Sequence, residues 1–241
     1  VTWPLNMEKG KKYPMLISIY GGPNAGNVYD TWNWTANRQW YAQEGLIQVA
    51  FDHRGSGHFG KAGVSQMHRQ LGKWELTDYS TMAKWFIDNG YADSTKICIT
   101  GFSYGGYVTC LALTKGSNIF THGMAGGSVT DWLLYDSHYT EKLMDLPKDN
   151  VEGYKTSSPL SYLGQYKGML QIVHGTMDDN VHMQNSIQLL SALQDNGKDV
   201  EFMLYPGGRH GWGGAKGKHF MDLKSKFIFQ HLLDKPFTST K

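Results

Sequence analysis

The feature that most limits how this chain can fold is an alternation. Short runs rich in apolar and β-branched residues are each followed by a segment of helical length. Residues 15–20 (MLISIY), 46–51 (LIQVAF), 96–100 (KICIT), 169–174 (MLQIVH) and 200–205 (VEFMLY) are the strand candidates. Most lack a strict polar alternation, as strands covered on both faces do. Residues 32–44, 75–89, 104–114, 185–196 and 216–233 read as helices. Asn89-Gly90 and Asn196-Gly197 supply stop signals for two of them. Such an order predicts an α/β fold, a mainly parallel sheet with helices on both faces.

No internal repeat or low-complexity tract interrupts this pattern, and the polar, turn-rich stretch 145–158 is too short for an interdomain linker. Residues 1–241 therefore read as one domain, with a polar leading segment (1–13) and a frayed tail (237–241). The hydrophobic share is 40% and the charged share 18%, enough to fill a core. The 29 glycines, about 12% against a usual share of roughly 7%, point to many tight turns. The chain starts at Val1 with no basic-then-apolar leader, which suggests a removed signal or a piece of a longer protein.

Charge excludes some partners. A net charge of +2 is too even for a nucleic-acid footprint. The longest Lys/Arg run is Lys11-Lys12, too short for an electrostatic membrane anchor. The uncharged stretch 97–114 contains Gly101, Ser103, Gly105 and Gly106 and reads as strand, turn and helix, so no membrane span is predicted. Cys98 and Cys110 lie in apolar stretches and read as two buried thiols.

The chemistry is concentrated at three turns. Gly101-Phe102-Ser103-Tyr104-Gly105 fits G-x-S-x-G, placed after one strand candidate and opening a helix. That setting puts a serine nucleophile on a strained turn, where only small neighbours avoid a clash. The helix N-terminus then favours a developing oxyanion. Ser103 still needs a base to take its proton. In this arrangement the partners follow in the order serine, acid, histidine, on loops after later strands. After residues 169–174 comes Gly175-Thr176-Met177-Asp178-Asp179-Asn180; after 200–205 comes Pro206-Gly207-Gly208-Arg209-His210-Gly211. Of ten histidines, only His210 sits on a loop following the last strand, and the other nine, His174 among them, read as solvated or core residues. Spacing does not choose between Asp178 and Asp179. No H-E-x-x-H or comparable spacing appears, which disfavours a zinc hydrolase.

Taken together, Gly101 to Tyr107 (GFSYGGY), Gly175 to His182 (GTMDDNVH) and Tyr20-Gly21-Gly22-Pro23 resemble the prolyl oligopeptidase family of serine peptidases, within it the dipeptidyl peptidase IV branch. Asp52 to Gly57 (DHRGSG) and Tyr135 to Glu141 (YDSHYTE) support the likeness, which runs from about residue 12 to 233. It implies the α/β-hydrolase fold, with Ser103 as nucleophile, Asp178 as orienting acid and His210 as base. It also implies an oxyanion hole made of the Tyr104 backbone N–H and the Tyr20 hydroxyl. Tyr104, Val129, Trp132, Tyr135, Tyr139 and Val181 match the family's proline pocket, and Asn180 its contact to the preceding substrate carbonyl. Trp132, Tyr135 and Tyr139 fall at helical spacing, predicting one shared helix face.

The implied activity is release of N-terminal dipeptides with proline or alanine in the penultimate position, by way of an acyl-enzyme on Ser103. No cofactor or metal is implied, and the partners are peptide substrates. The family carries an N-terminal β-propeller, which nothing in this chain resembles, so a catalytic domain missing its propeller is expected. A homodimer through the C-terminal helix and a periplasmic or extracellular setting follow by analogy. On that helix, however, Phe220, Leu223 and Phe227 read as core facing the sheet. Two rivals stand beside this reading: an acylaminoacyl peptidase or esterase of the same fold, and a non-catalytic binding module.

Overall fold

The computed structural model describes residues 1–32 and 34–238. Six parallel strands form one sheet: β1 (Tyr13–Ser18), β2 (Ile47–Ala50), β3 (Ala92–Phe102), β4 (His122–Gly126), β5 (Met169–Gly175) and β6 (Glu201–Tyr205). Their spatial order is β2-β1-β3-β4-β5-β6. The helices are α1 (Ala36–Gln43), α2 (Gly60–Ser65), α3 (Lys73–Asp88), α4 (Tyr104–Thr114), α5 (Ser137–Met144), α6 (Val151–Ser157), α7 (Gln184–Asp195) and α8 (Gly214–Phe227). A single π-type turn, Ile228–Leu232, extends α8.

The strand order reverses between β1 and β3. In open parallel sheets, the crevice beyond the strand ends at such a reversal is where ligands bind. Tyr20 follows β1 and Ser103 follows β3, so both stand at that crevice. Asp178 and His210 follow β5 and β6 at the same edge.

One large core packs α3 and α4 against the sheet, centred on residues such as Ile17, Ile99, Tyr107 and Leu111. A smaller core lies among α1, α8 and the sheet, with Tyr41, Leu46, Cys98 and Phe227. Phe227 is buried there, in line with the core reading of the α8 stripe. Cys98 and Cys110 are free and buried, and desolvation pushes both thiols up, Cys110 to about 12.

The structure corrects the elements in detail. The strand β4 was not anticipated, and β3 is longer than expected at both ends. The helix expected over 32–44 begins at Ala36, where the Thr35 side chain caps it, and its expected start includes residue 33, outside the described residues. The leading segment is tied down by paired backbone bonds between Thr2 and Gln48. In the expected tail, Phe237 packs on Trp40 and Phe229, whereas 239–241 lie outside the described residues.

Candidate active site

Ser103 sits at φ 60°, ψ −118°, a backbone state costly for a residue with a β-carbon. It bridges β3 directly into α4. Glycine makes the turn possible: a β-carbon on Gly101 would lie 2.5 Å from the Gly105 carbonyl carbon, and one on Gly105 2.8 Å from the Ile19 carbonyl oxygen. The Ser103 N–H donates to Gly126 O at 2.8 Å, pinning the turn to the end of β4. Every residue of α4 is buried, so the elbow rests on a rigid base.

Asp178 is the acid placed on His210. His210 Nδ1 and Asp178 Oδ2 are 2.8 Å apart, and the Asp178 side chain is fully buried. Its other oxygen accepts the N–H groups of Asn180 and Val181 at 3.0 and 2.9 Å. Burial alone would raise its pKa. The hydrogen bonds from His174, His210 and the Val181 N–H outweigh that and hold the carboxyl well below the usual carboxylate range. The neighbouring Asp179 is exposed and pairs with Arg209 at 3.0 Å. Asp178–His210 and Asp179–Arg209 thus bind adjacent loops in two separate pairs.

With Nδ1 committed to Asp178, His210 keeps Nε2 for a proton elsewhere. Its ring meets Phe102, the residue before Ser103, edge-on at 5.3 Å, and a β-carbon on Gly127 would touch its Cε1 at 3.3 Å. The imidazole is thereby confined beside the elbow.

Tyr20 is half exposed, its ring 6.3 Å from that of Tyr104. Gly21 takes φ 79°, and a β-carbon on Gly22 would stand 2.7 Å from the Tyr20 ring, so the glycine pair gives this ring its place. The Tyr104 hydroxyl points away, donating to the buried Glu75 carboxyl.

The aromatic group assembles, though not on one helix face. Trp132 lies in a 3₁₀ turn (Trp132–Leu134) opened by an Asp131 cap, Tyr135 is extended, and Tyr139 lies on α5, capped by Asp136. The two aspartate caps break the helix that the spacing predicted. The rings nevertheless meet: Trp132 contacts Tyr104 at 5.5 Å, Tyr135 at 5.9 Å and, stacked, Tyr139 at 6.1 Å. Val129 and Val181 are buried in the same core. The Tyr135 hydroxyl donates to Asn180 Oδ1 at 2.8 Å, which fixes the oxygen end of that amide.

Two participants escaped the sequence reading. Glu75 accepts both the Gly72 N–H, at 2.9 Å, and the Tyr104 hydroxyl; the Gly-x-x-Glu spacing ahead of an apolar run was the available signal. His174, fully buried, bonds Val181 O, Ser186 and Asp178, and no sequence signal separated it from a core histidine. Among the described residues, no group of three His, Cys, Asp or Glu is placed to hold a metal, and no helix is long and apolar enough to cross a membrane.

Known proteins resemble this chain over most of its length. Residues 32–235 match the model of the prolyl oligopeptidase family. The chain is 37% identical over 232 residues to prolyl endopeptidase FAP of Homo sapiens, covering 94% of this chain and 30% of that protein. It is 39% identical over 233 residues to dipeptidyl peptidase 4 of Felis catus, again covering 94% and 30%. The crystal structure of Porphyromonas gingivalis dipeptidyl peptidase 4 superimposes with a TM-score of 0.91 at 36% identity, over 95% of this chain and 33% of that one. The chain therefore spans about a third of the length of the relatives it matches. By the extent of these matches, this chain belongs to the prolyl oligopeptidase family and has its α/β-hydrolase fold.

Proposed function

We propose that the chain is the catalytic part of a serine peptidase that releases N-terminal dipeptides after proline or alanine. The observation that carries the reading is the 2.8 Å His210–Asp178 bond, standing at the strand edge that also holds the strained Ser103. Ser103 Oγ attacks the substrate carbonyl while His210 Nε2 takes its proton. Charge developing on the carbonyl oxygen is held by the Tyr104 N–H and the Tyr20 hydroxyl. His210 then protonates the leaving amine, and water, activated by the same base, releases the dipeptide.

Selectivity rests on the ring cluster. Tyr104, Trp132, Tyr135 and Tyr139, with Val129 and Val181, offer a flat apolar wall for a pyrrolidine ring. Asn180, fixed by the Tyr135 hydroxyl, presents its amide to the carbonyl one residue earlier. The propeller, which would complete the enzyme and count residues from the amino terminus, lies outside this chain. A homodimer and a periplasmic or extracellular setting belong to the same reading by analogy.

The prolyl endopeptidase name of one relative favours a second reading, cleavage after proline inside a chain. Fluorophosphonate labelling, with Ser103→Ala as control, tests the nucleophile. Cleavage of Gly-Pro, acetyl-Gly-Pro and butyrate reporters then separates dipeptidyl peptidase, endopeptidase and esterase. Equal labelling of the alanine variant refutes the assignment of Ser103.

A further inference from the structure

The loop that holds Asp178 is underpinned by a second histidine that the proposed mechanism does not use. His174 is the sixth residue of β5, fully buried, and faces the underside of the Asp178 carboxylate. Its Nε2 is 2.8 Å from Val181 O and 3.3 Å from Asp178 Oδ2. Both are acceptors, so Nε2 carries the proton. Its Nδ1 is 2.7 Å from the hydroxyl of Ser186, a fully buried residue of α7. In the neutral imidazole this Nδ1 is the acceptor, so the serine donates and fixes the tautomer.

We propose that His174 is a positioning residue for Asp178: its Nε2–H, kept there by Ser186, lies beside the Oδ2 that His210 binds and sets the aim of that carboxylate. The inference rests on the Ser103–Asp178–His210 reading. The oxygen that His210 bonds is the oxygen that His174 reaches, while Oδ1 is taken by Asn180 and Val181. Three N–H groups bond the carboxylate, His210 at Oδ2 and Asn180 and Val181 at Oδ1, while the His174 Nε2–H, bonded to Val181 O, lies 3.3 Å from Oδ2 and closes the remaining side. Val181 ties the arrangement together, since its N–H binds Oδ1 and its carbonyl binds the same His174 Nε2.

The consequence for His210 is electrostatic. A donor dipole on Oδ2 offsets part of the negative charge that this oxygen presents to His210. The other groups around the pair do not substitute for it. Tyr135, from the segment before α5, feels the Asp178 charge while its hydroxyl binds Asn180, and the Asp179–Arg209 pair is exposed. On α7 the group facing His174 is Ser186, an uncharged hydroxyl.

The test is the pH profile of the second-order rate of fluorophosphonate labelling, measured on this chain. His174→Leu should slow labelling roughly 10- to 100-fold, the scale seen when an orienting partner of a functional histidine is lost. It should also move the acid limb of the labelling profile to higher pH, because Oδ2, no longer shared, presents its full charge to His210. His174→Gln, whose amide nitrogen overlays Nε2, should restore most of the rate and the original limb. Ser186→Ala, which removes one hydroxyl and leaves the packing, should give a smaller shift in the same direction and covers the case in which His174→Leu does not fold. Lower thermal stability with an unmoved or lowered acid limb in the folded variants would mean that His174 merely packs, and the proposal fails. Failure of wild-type labelling itself, with Ser103→Ala identical to it, would instead overturn the reading of the site on which this inference rests.

Discussion

Asp178 and Asp179 are adjacent in sequence yet serve different neighbours: the first is buried on His210, the second exposed on Arg209. The turn after β5 (Met169–Gly175) buries one carboxylate and leaves its neighbour outside. Asp178→Asn should leave His210 in the wrong tautomer and lower turnover by about 10⁴-fold. Asp179→Asn removes an exposed pair and should change turnover by less than about fivefold. Steady-state kinetics on both variants decide the matter, and a deader Asp179→Asn would reverse the assignment.

In the proposed mechanism Tyr20 donates to the oxyanion, and the Gly21-Gly22 turn is what gives its ring its place. Its contribution should appear only as charge develops. Tyr20→Phe is expected to lower kcat by roughly 10²–10³-fold, the effect of losing one oxyanion donor, with little change in KM. A rise in KM at constant kcat would make Tyr20 a substrate contact instead.

The ring cluster gives a graded expectation. Trp132 is buried between Tyr104 and Tyr139, so Trp132→Ala opens the wall from behind, whereas Tyr135→Ala removes its partly exposed edge and frees Asn180. Discrimination between proline and a larger penultimate residue should fall by roughly 10–200-fold in either variant without vanishing. Ratios of kcat/KM for paired substrates measure it, and unchanged ratios in both would return these rings to the core.

The same cluster shows how far the sequence could be read. Its members are named by the resemblance, but the spacing of Trp132, Tyr135 and Tyr139 suggests one helix, whereas the caps at Asp131 and Asp136 divide the segment into a 3₁₀ turn and a separate α5. Helix α4 was bounded to the residue, since the glycines that permit the Ser103 turn also mark where the helix must begin. Strand β4 escaped because HGMAG has no β-branched residue. The first of its two glycines has a packing cause: a β-carbon on Gly123 would sit 2.6 Å from a Leu113 methyl on α4. A tight helix–strand contact had erased the propensity signal. His174 was passed over for a different reason, because its hydrogen bonds join strand, loop and helix residues whose proximity exists only in the fold.

Glu75 offers a prediction that reads stability and not turnover. It lies at the start of α3, and burial pushes its carboxyl up to about 7 despite the hydrogen bonds from Tyr104 and the Gly72 N–H. Both of those bonds end on Oε1, while Oε2 has no protein partner among the described residues, so the proton belongs on Oε2. Between the ordinary value of 4.5 and about 7, the unfolded chain has ionised Glu75 while the folded chain still holds the proton. The folded state binds more protons there, and stability falls as pH rises through that window, then levels off above it. At about 1.4 kcal/mol per unit, the loss from this one group is on the order of 3 kcal/mol. Glu75→Gln keeps an oxygen for Gly72 and Tyr104 and puts an amide where the proton would be, so it should remove this component of the pH dependence. Urea unfolding of wild type and Glu75→Gln at pH 5 and pH 8 measures it: the two should lie close at pH 5, with the variant the more stable at pH 8. Glu75→Leu, which strands the Gly72 N–H and the Tyr104 hydroxyl, should be destabilised at pH 5 by about 1–3 kcal/mol for each unpaired group, a deficit relative to wild type that shrinks at pH 8. Parallel losses of stability in wild type and Glu75→Gln between pH 5 and 8 would show that Glu75 is ionised in the folded chain throughout, and that Tyr104 donates to a carboxylate.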